Sequence, residues 1–130
     1  MTTLSEIMTR EVFIATPDTP VADVAEAMLK GRFGSAVVTQ GSLLMGILTE
    51  RDVLRAAASR ADLNASPVSE WMTNDPVTST PETNADEAAE IMMSQGFRHL
   101  PVVEGKVITG IVSLRDIMRT HIRRPRQPGA

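Results

Sequence analysis

The sequence predicts an α/β fold of the α+β style, built from two β-α-β-β-α units that pack through their sheets around a pseudo-twofold axis. Three observations predict it. The chain has 130 residues, 42% hydrophobic and 22% charged, which suffices for one compact domain and is too short for two ordinary independent ones. Laid over itself with Leu4 on Val68, it matches at roughly 18 of about 52 ungapped pairs, where chance gives about three or four, the mark of an internal repeat. Within each copy, short β-prone runs alternate with helical stripes in the same order. A unit of this size has too little core to stand alone, so the copies must share one.

Each element follows from local chemistry. Residues 12–15 and 77–79 are β-prone runs closed by Thr-Pro, hence first strands. Thr19 ahead of Pro20 reads as an N-cap with proline at the first helical position, and Val21, Val24, Ala25 and Met28 form one stripe up to Gly31. The second copy gives a helix from Thr83 to Gly96, with Ala85, Ala88, Ala89 and Met92 on the stripe. Residues 35–39 and 99–103 are strands that turn at Gly41 and Gly105 into return strands 43–48 and 107–112. Thr49 and Ser113 then open second helices, from 50 to about 59 and from 114 to about 122. The repeats are expected over 1–60 and 68–122, with a linker at 61–67 and a basic, Pro-rich, disordered tail at 123–130.

Composition narrows the function classes. There is no cysteine, which removes disulfides, thiolate nucleophiles and Cys-ligated metal centres and fits a reducing compartment. No apolar run approaches the roughly 18 residues that span a bilayer, and no basic-then-apolar leader opens the chain, so no membrane association and a cytoplasmic location are expected. Net charge is −3, and setting aside Arg123, Arg124 and Arg126 makes the body more negative still, so bulk-charge binding of nucleic acid is disfavoured. Aromatic residues at 3% leave few stacking platforms. No nucleophile–base pair can be assembled from the repeated positions, and His99 and His121 lack ligand-spaced partners, so neither an enzyme nor a metal site is expected.

The sharpest local signal is Gly46-Ile-Leu-Thr-Glu-Arg-Asp52, repeated as Gly110-Ile-Val-Ser-Leu-Arg-Asp116. Two readings fit it. In one, Thr49 with Asp52 and Ser113 with Asp116 are capping boxes with Asp in place of Glu. In the other, the helix N-terminus is an anion site reinforced by Arg51 and Arg115, and the carboxylate accepts hydrogen bonds from a ribose.

These motifs resemble the tandem CBS-domain pair, the regulatory module named for cystathionine β-synthase. The likeness spans about residues 4 to 119, through Ile7-Met8-Thr9 and Trp71-Met72-Thr73, Phe97-Arg-His-Leu-Pro-Val-Val103 and the two Gly-Ile-x-Thr/Ser-x-Arg-Asp endings. It implies a non-catalytic sensor that binds AMP, ADP, ATP or S-adenosylmethionine as a regulatory ligand in clefts between the repeats, forms a homodimer and signals to a separate effector protein. Carried over by position, it makes Asp52 and Asp116 the ribose carboxylates and places Thr49 and Ser113 against phosphate or ribose. Ile47 and Ile111 would flank the base. Thr9, Val12, Phe13, Thr73, Val77 and Thr78 would line the cleft mouths, and Arg98 and His99 would reach phosphate in one cleft. The first copy departs from the pattern, with Gly34 and Ser35 where the second has Arg98 and His99, so the clefts are expected to differ in affinity.

Other features carry blander expectations. Met28, Met92, Met93 and Met118 read as core or dimer filler, and Trp71 as packing at the repeat junction. Val53, Leu54, Ala57, Ile117 and Met118 are candidates for a dimer face. The competing functions are a ligand-free dimerisation module and, below it, nucleic-acid contact through Arg119, Arg123, Arg124 and Arg126.

Overall fold

The computed structural model describes residues 1–122. The tail arginines Arg123, Arg124 and Arg126, and with them the tail reading, lie outside these residues. The first half runs α1 (Leu4–Ile7), β1 (Ile14–Ala15), α2 (Val21–Gly31), β2 (Ser35–Gln40), β3 (Leu43–Thr49) and α3 (Glu50–Ala58). After a single 3-10 turn, Val68–Glu70, the second half runs β4 (Thr73–Asn74), α4 (Ala85–Gln95), β5 (His99–Glu104), β6 (Val107–Ser113) and α5 (Leu114–Ile122). The strands form one mixed sheet in the order β1-β2-β3-β6-β5, with β4 also paired to β3. Both hairpins turn through glycines at positive φ, Gly41 at 64° and Gly105 at 65°, where a side chain would be strained. The two halves of the sheet meet through β3 and β6, at Leu43 opposite Val107.

The repeat visible in the sequence is not the unit that packs. Leu4 and Met8, from the start of the first copy, are buried with Ala88, Met92, Leu100 and Ile117 of the second. Val68, from the start of the second copy, is buried with Val21, Val24, Val38 and Leu48 of the first, with Trp71 and Met72 packed against them. Backbone bonds fix the exchange: Leu4 N–H donates to Thr83 O at 2.9 Å, and Val68 N–H to Thr19 O at 2.8 Å. Each half therefore lacks part of its core until the other supplies it.

The exchanged segments then cross the return strands. Thr9 bridges Ile111, and Thr73 pairs with Ile47. The motif glycines permit the crossing. A Cβ on Gly46 would lie 2.6 Å from Met72 Sδ and 2.7 Å from the Thr73 carbonyl, and one on Gly110 would meet Met8 Sδ at 2.8 Å and the Thr9 carbonyl at 2.9 Å.

Several expectations need correction. Thr19 does not cap α2: its hydroxyl accepts from Thr16 N–H at 3.0 Å, Pro20 holds the cap position, and the first helical N–H groups of Val21 and Ala22 donate to the carbonyls of Ser66 and Leu63. The linker does the work of a capping side chain. In the second copy the helix expected from Thr83 begins at Ala85, capped by Asn84, which accepts from Asp86 N–H at 2.7 Å. The helix α2 runs through Gly31 and ends on Arg32 in the left-handed region. The first strand shortens to Ile14–Ala15, and residues 77–79 form no strand, only the bridge of Ser79 with Val102. Chain chemistry explains the second loss: Val37 N–H donates to Phe13 O at 2.9 Å, whereas its counterpart Pro101 has no N–H to give Val77. Met28 and Met92 are buried as expected, while Met93 is exposed. Ile117 is fully buried and so leaves the candidate dimer face.

Because the crossing leaves no room for a methyl group, Gly46→Ala is expected to lower unfolding free energy by about 1–3 kcal/mol, the usual cost of overpacking. Urea denaturation of the variant beside wild type measures it, and an unchanged midpoint would show that the crossing is not tight.

Candidate functional site

The two strand-to-helix junctions, β3–α3 and β6–α5, are built alike but loaded differently. At the first, Thr49 and Asp52 form a capping box. Asp52 Oδ2 accepts from Thr49 N–H at 2.9 Å and from its hydroxyl at 3.1 Å. Asp52 Oδ1 accepts from Arg55 at 2.8 Å, and the Arg55 guanidinium lies over the Trp71 ring, 5.6 Å from its centroid. Both oxygens of this buried carboxylate are thus in use. At the second junction Ser113 N–H donates to Asp116 Oδ2 and Asp116 N–H to Ser113 Oγ, each at 3.1 Å. There Asp116 Oδ1 is 3.9 Å from Arg119, and the side chain is 27% exposed against 10% for Asp52. Asp116 Oδ1 accepts no hydrogen bond among the described residues, whereas Asp52 Oδ1 accepts one, from Arg55.

A cleft of about 920 Å³ opens at the first junction. Ile47, Thr49, Arg51 and Asp52 line it from the first half, and Thr73, Val77, Arg98 and His99 from the second. Eight of the residues singled out in the sequence therefore converge here. Thr9 and Ile111 are joined by their own bridge and, with Ser113 and Asp116, form the corresponding junction in the other half. Arg115 follows Ser113 by two residues on α5 and does not line the cleft. Val12 and Thr78 do not line it either, and Phe13 stacks on Phe33 with ring centroids 5.4 Å apart, beside the first core.

The sequence reading missed Glu50, Leu54, Pro76, Gln95, Gly96 and Phe97, all of which line this cleft. Glu50 sits inside the motif between Thr49 and Arg51, and its mismatch with Leu114 was the available signal. Leu54, a candidate for the dimer face, also borders the cleft.

His99 links the halves. A Cβ on Gly34 would stand 3.3 Å from His99 Cε1 and 3.1 Å from Glu50 Oε1. Gly34, where the second copy has Arg98, is therefore the space that seats the second copy's histidine and the first copy's glutamate. Burial holds the imidazole below its ordinary 6.5; the Glu50 and Asp116 carboxylates oppose that shift, and Arg98 and Arg115 reinforce it. The folded protein thus holds neutral a group that the unfolded chain protonates near pH 6.5.

Among the described residues no group of three or more His, Asp or Glu side chains is placed to hold a metal ion, and no helix is long and apolar enough to cross a membrane.

The family model of the CBS domain matches twice, over residues 4–59 and 68–122. An uncharacterised 17.7 kDa protein of Acidianus ambivalens is 40% identical over 121 residues, 91% of this chain and 72% of its own. The crystal structure of a CBS-domain containing protein from Agrobacterium tumefaciens superposes with a TM-score of 0.86 at 30% identity, covering 93% of this chain and all of that one. A CBS domain protein from Pyrobaculum aerophilum complexed with AMP gives 0.81 at 31% identity, covering 88% and 89%.

The depressed His99 value fixes the sign of a pH effect. The unfolded chain binds more protons, so stability is fully present above pH 6.5 and falls as pH drops through 6.5 toward the lower folded value. Thermal melts from pH 7.5 to about 5.5 should show a slope for wild type that is smaller in His99→Gln; equal slopes would contradict the burial argument.

Proposed function

The chain belongs to the CBS domain family, and we propose on that footing that it is a non-catalytic regulatory module whose ligand is an adenine nucleotide, bound in the cleft between its halves. The observation that carries this reading is the convergence of the β3–α3 junction of one half with Arg98 of the other across a single cleft. The junction supplies the N-terminal end of α3, which favours an anion. Arg98 adds a charge-assisted donor from the opposite wall. Ile47 and Val77 provide apolar surface for a base, and Thr49 and Thr73 provide hydroxyls. The AMP complex of the Pyrobaculum protein, a relative at 31% identity, supports AMP as the first ligand to test. In this cleft the carboxylate available to a ribose is Asp52, through Oδ1, which accepts only from Arg55; Asp116 belongs to the second junction.

In this reading the chain acts as a homodimer through exposed apolar residues of its second helices, Leu54 at 68% and Met118 at 46% exposure. Nucleotide occupancy shifts the packing of the halves, and a separate effector protein reads the change. A ligand-free structural module is the second reading, because Asp52 already accepts from the Thr49 cap and from Arg55.

Titration calorimetry with AMP separates the two readings. Wild type is expected to bind, and Arg98→Ala to bind about five- to thirtyfold more weakly, the range for losing a charge-assisted contact at a partly exposed site. Absence of AMP binding by a folded wild type, or affinity unchanged by Arg98→Ala, would favour the structural module.

A further inference from the structure

The cleft holds an acidic side chain that opposes its own basic residues. Arg51, Arg98 and Glu50 all line it, and among the described residues none of the three takes part in a salt bridge. Glu50 is not directed away from the site: its Oε1 lies 3.1 Å from where a Gly34 Cβ would be, on the same spot that the His99 ring approaches. The carboxylate is therefore at the meeting point of the halves, beside the segment that carries Arg98. The matching position in the second copy is Leu114. The same helix start thus tolerates an uncharged side chain, and the cap does not require Glu50.

We infer that Glu50 tunes selection by phosphate number, so that the cleft favours the triphosphate over adenosine monophosphate far less than its two arginines alone would dictate. This rests on the adenine-nucleotide reading above and makes it more specific. Arginines facing a phosphate chain favour the ligand with more negative charge, because each added charge gains attraction. A carboxylate lining the same cleft repels each added charge and offsets part of that gain. His99 does not restore it, since burial keeps the ring neutral at neutral pH. What then separates ligands is the nucleoside and the first phosphate, which the helix N-terminus and Arg98 still hold.

Calorimetry with adenosine, AMP and ATP on wild type, Glu50→Gln and Glu50→Leu tests this. Both substitutions should raise ATP affinity about five- to tenfold and AMP affinity about two- to threefold, change adenosine less than twofold, and lose most of the gain at high salt. Glu50→Leu copies a residue this fold already carries at the equivalent place, so a folding defect in one variant leaves the other informative. An ATP-to-AMP ratio unchanged in both variants would overturn the inference while leaving the adenine-nucleotide reading in place. Weaker adenosine binding in Glu50→Gln would overturn it too, because the carboxylate would then be accepting a hydrogen bond from the nucleoside. No binding of any of the three by wild type would overturn both.

Discussion

The structure depends on the exchange of opening segments between its two repeats. Each copy sends its first helical turn into the other copy's core, Leu4 into one and Val68 into the other, and both residues are fully buried. Losing either side chain from its pocket would remove about 1.5–3 kcal/mol of burial, a large share of the marginal stability of a small domain. The exchange also threads backbone across backbone, which is why Gly46 and Gly110 stand where they do. Neither half is complete alone, so the halves are held together by their shared cores as well as by the linker that joins them.

That constraint makes the cleft. Since Thr73 is paired to Ile47, residues far apart in sequence become neighbours on one wall, and Arg98 and His99 face the β3–α3 junction from the other half. The same constraint breaks the symmetry of the pair. One glycine, Gly34, gives room to a histidine from the opposite copy and to Glu50, and the second copy has Arg98 at that position. The two strand-to-helix junctions differ in what surrounds them, beyond the difference in the residues each contributes. An advantage assigned to Arg98 alone, as the sequence invites, leaves out the carboxylate that shares its cleft.

Much of this was legible in the chain. The duplication, the two hairpins, the helix starts at Thr49 and Ser113 and the buried stripes on α2 and α4 all follow from periodicity and turn chemistry. The exchange was not legible, because similarity between Leu4-Ser-Glu-Ile-Met-Thr9 and its copy says which segments are alike and nothing about which core each enters. Boundaries failed where distant backbone replaced a local signal, as when Ser66 and Leu63 carbonyls took the role expected of Thr19. The missing second-copy strand was readable in hindsight from Pro101, whose lack of an N–H removes the bond that Val37 makes. Within the site, the repeated residues were found and the unrepeated ones missed: reading by repetition gives weight to Asp52 and passes over Glu50.

The central claim is that an adenine nucleotide occupies the cleft between the halves, and a crystal structure of the protein grown with saturating AMP tests it most directly. The account predicts density for the base against Ile47 and Val77 and for the phosphate between the start of α3 and Arg98. A well-ordered cleft without nucleotide, or AMP seated on a surface away from both strand-to-helix junctions, would contradict it.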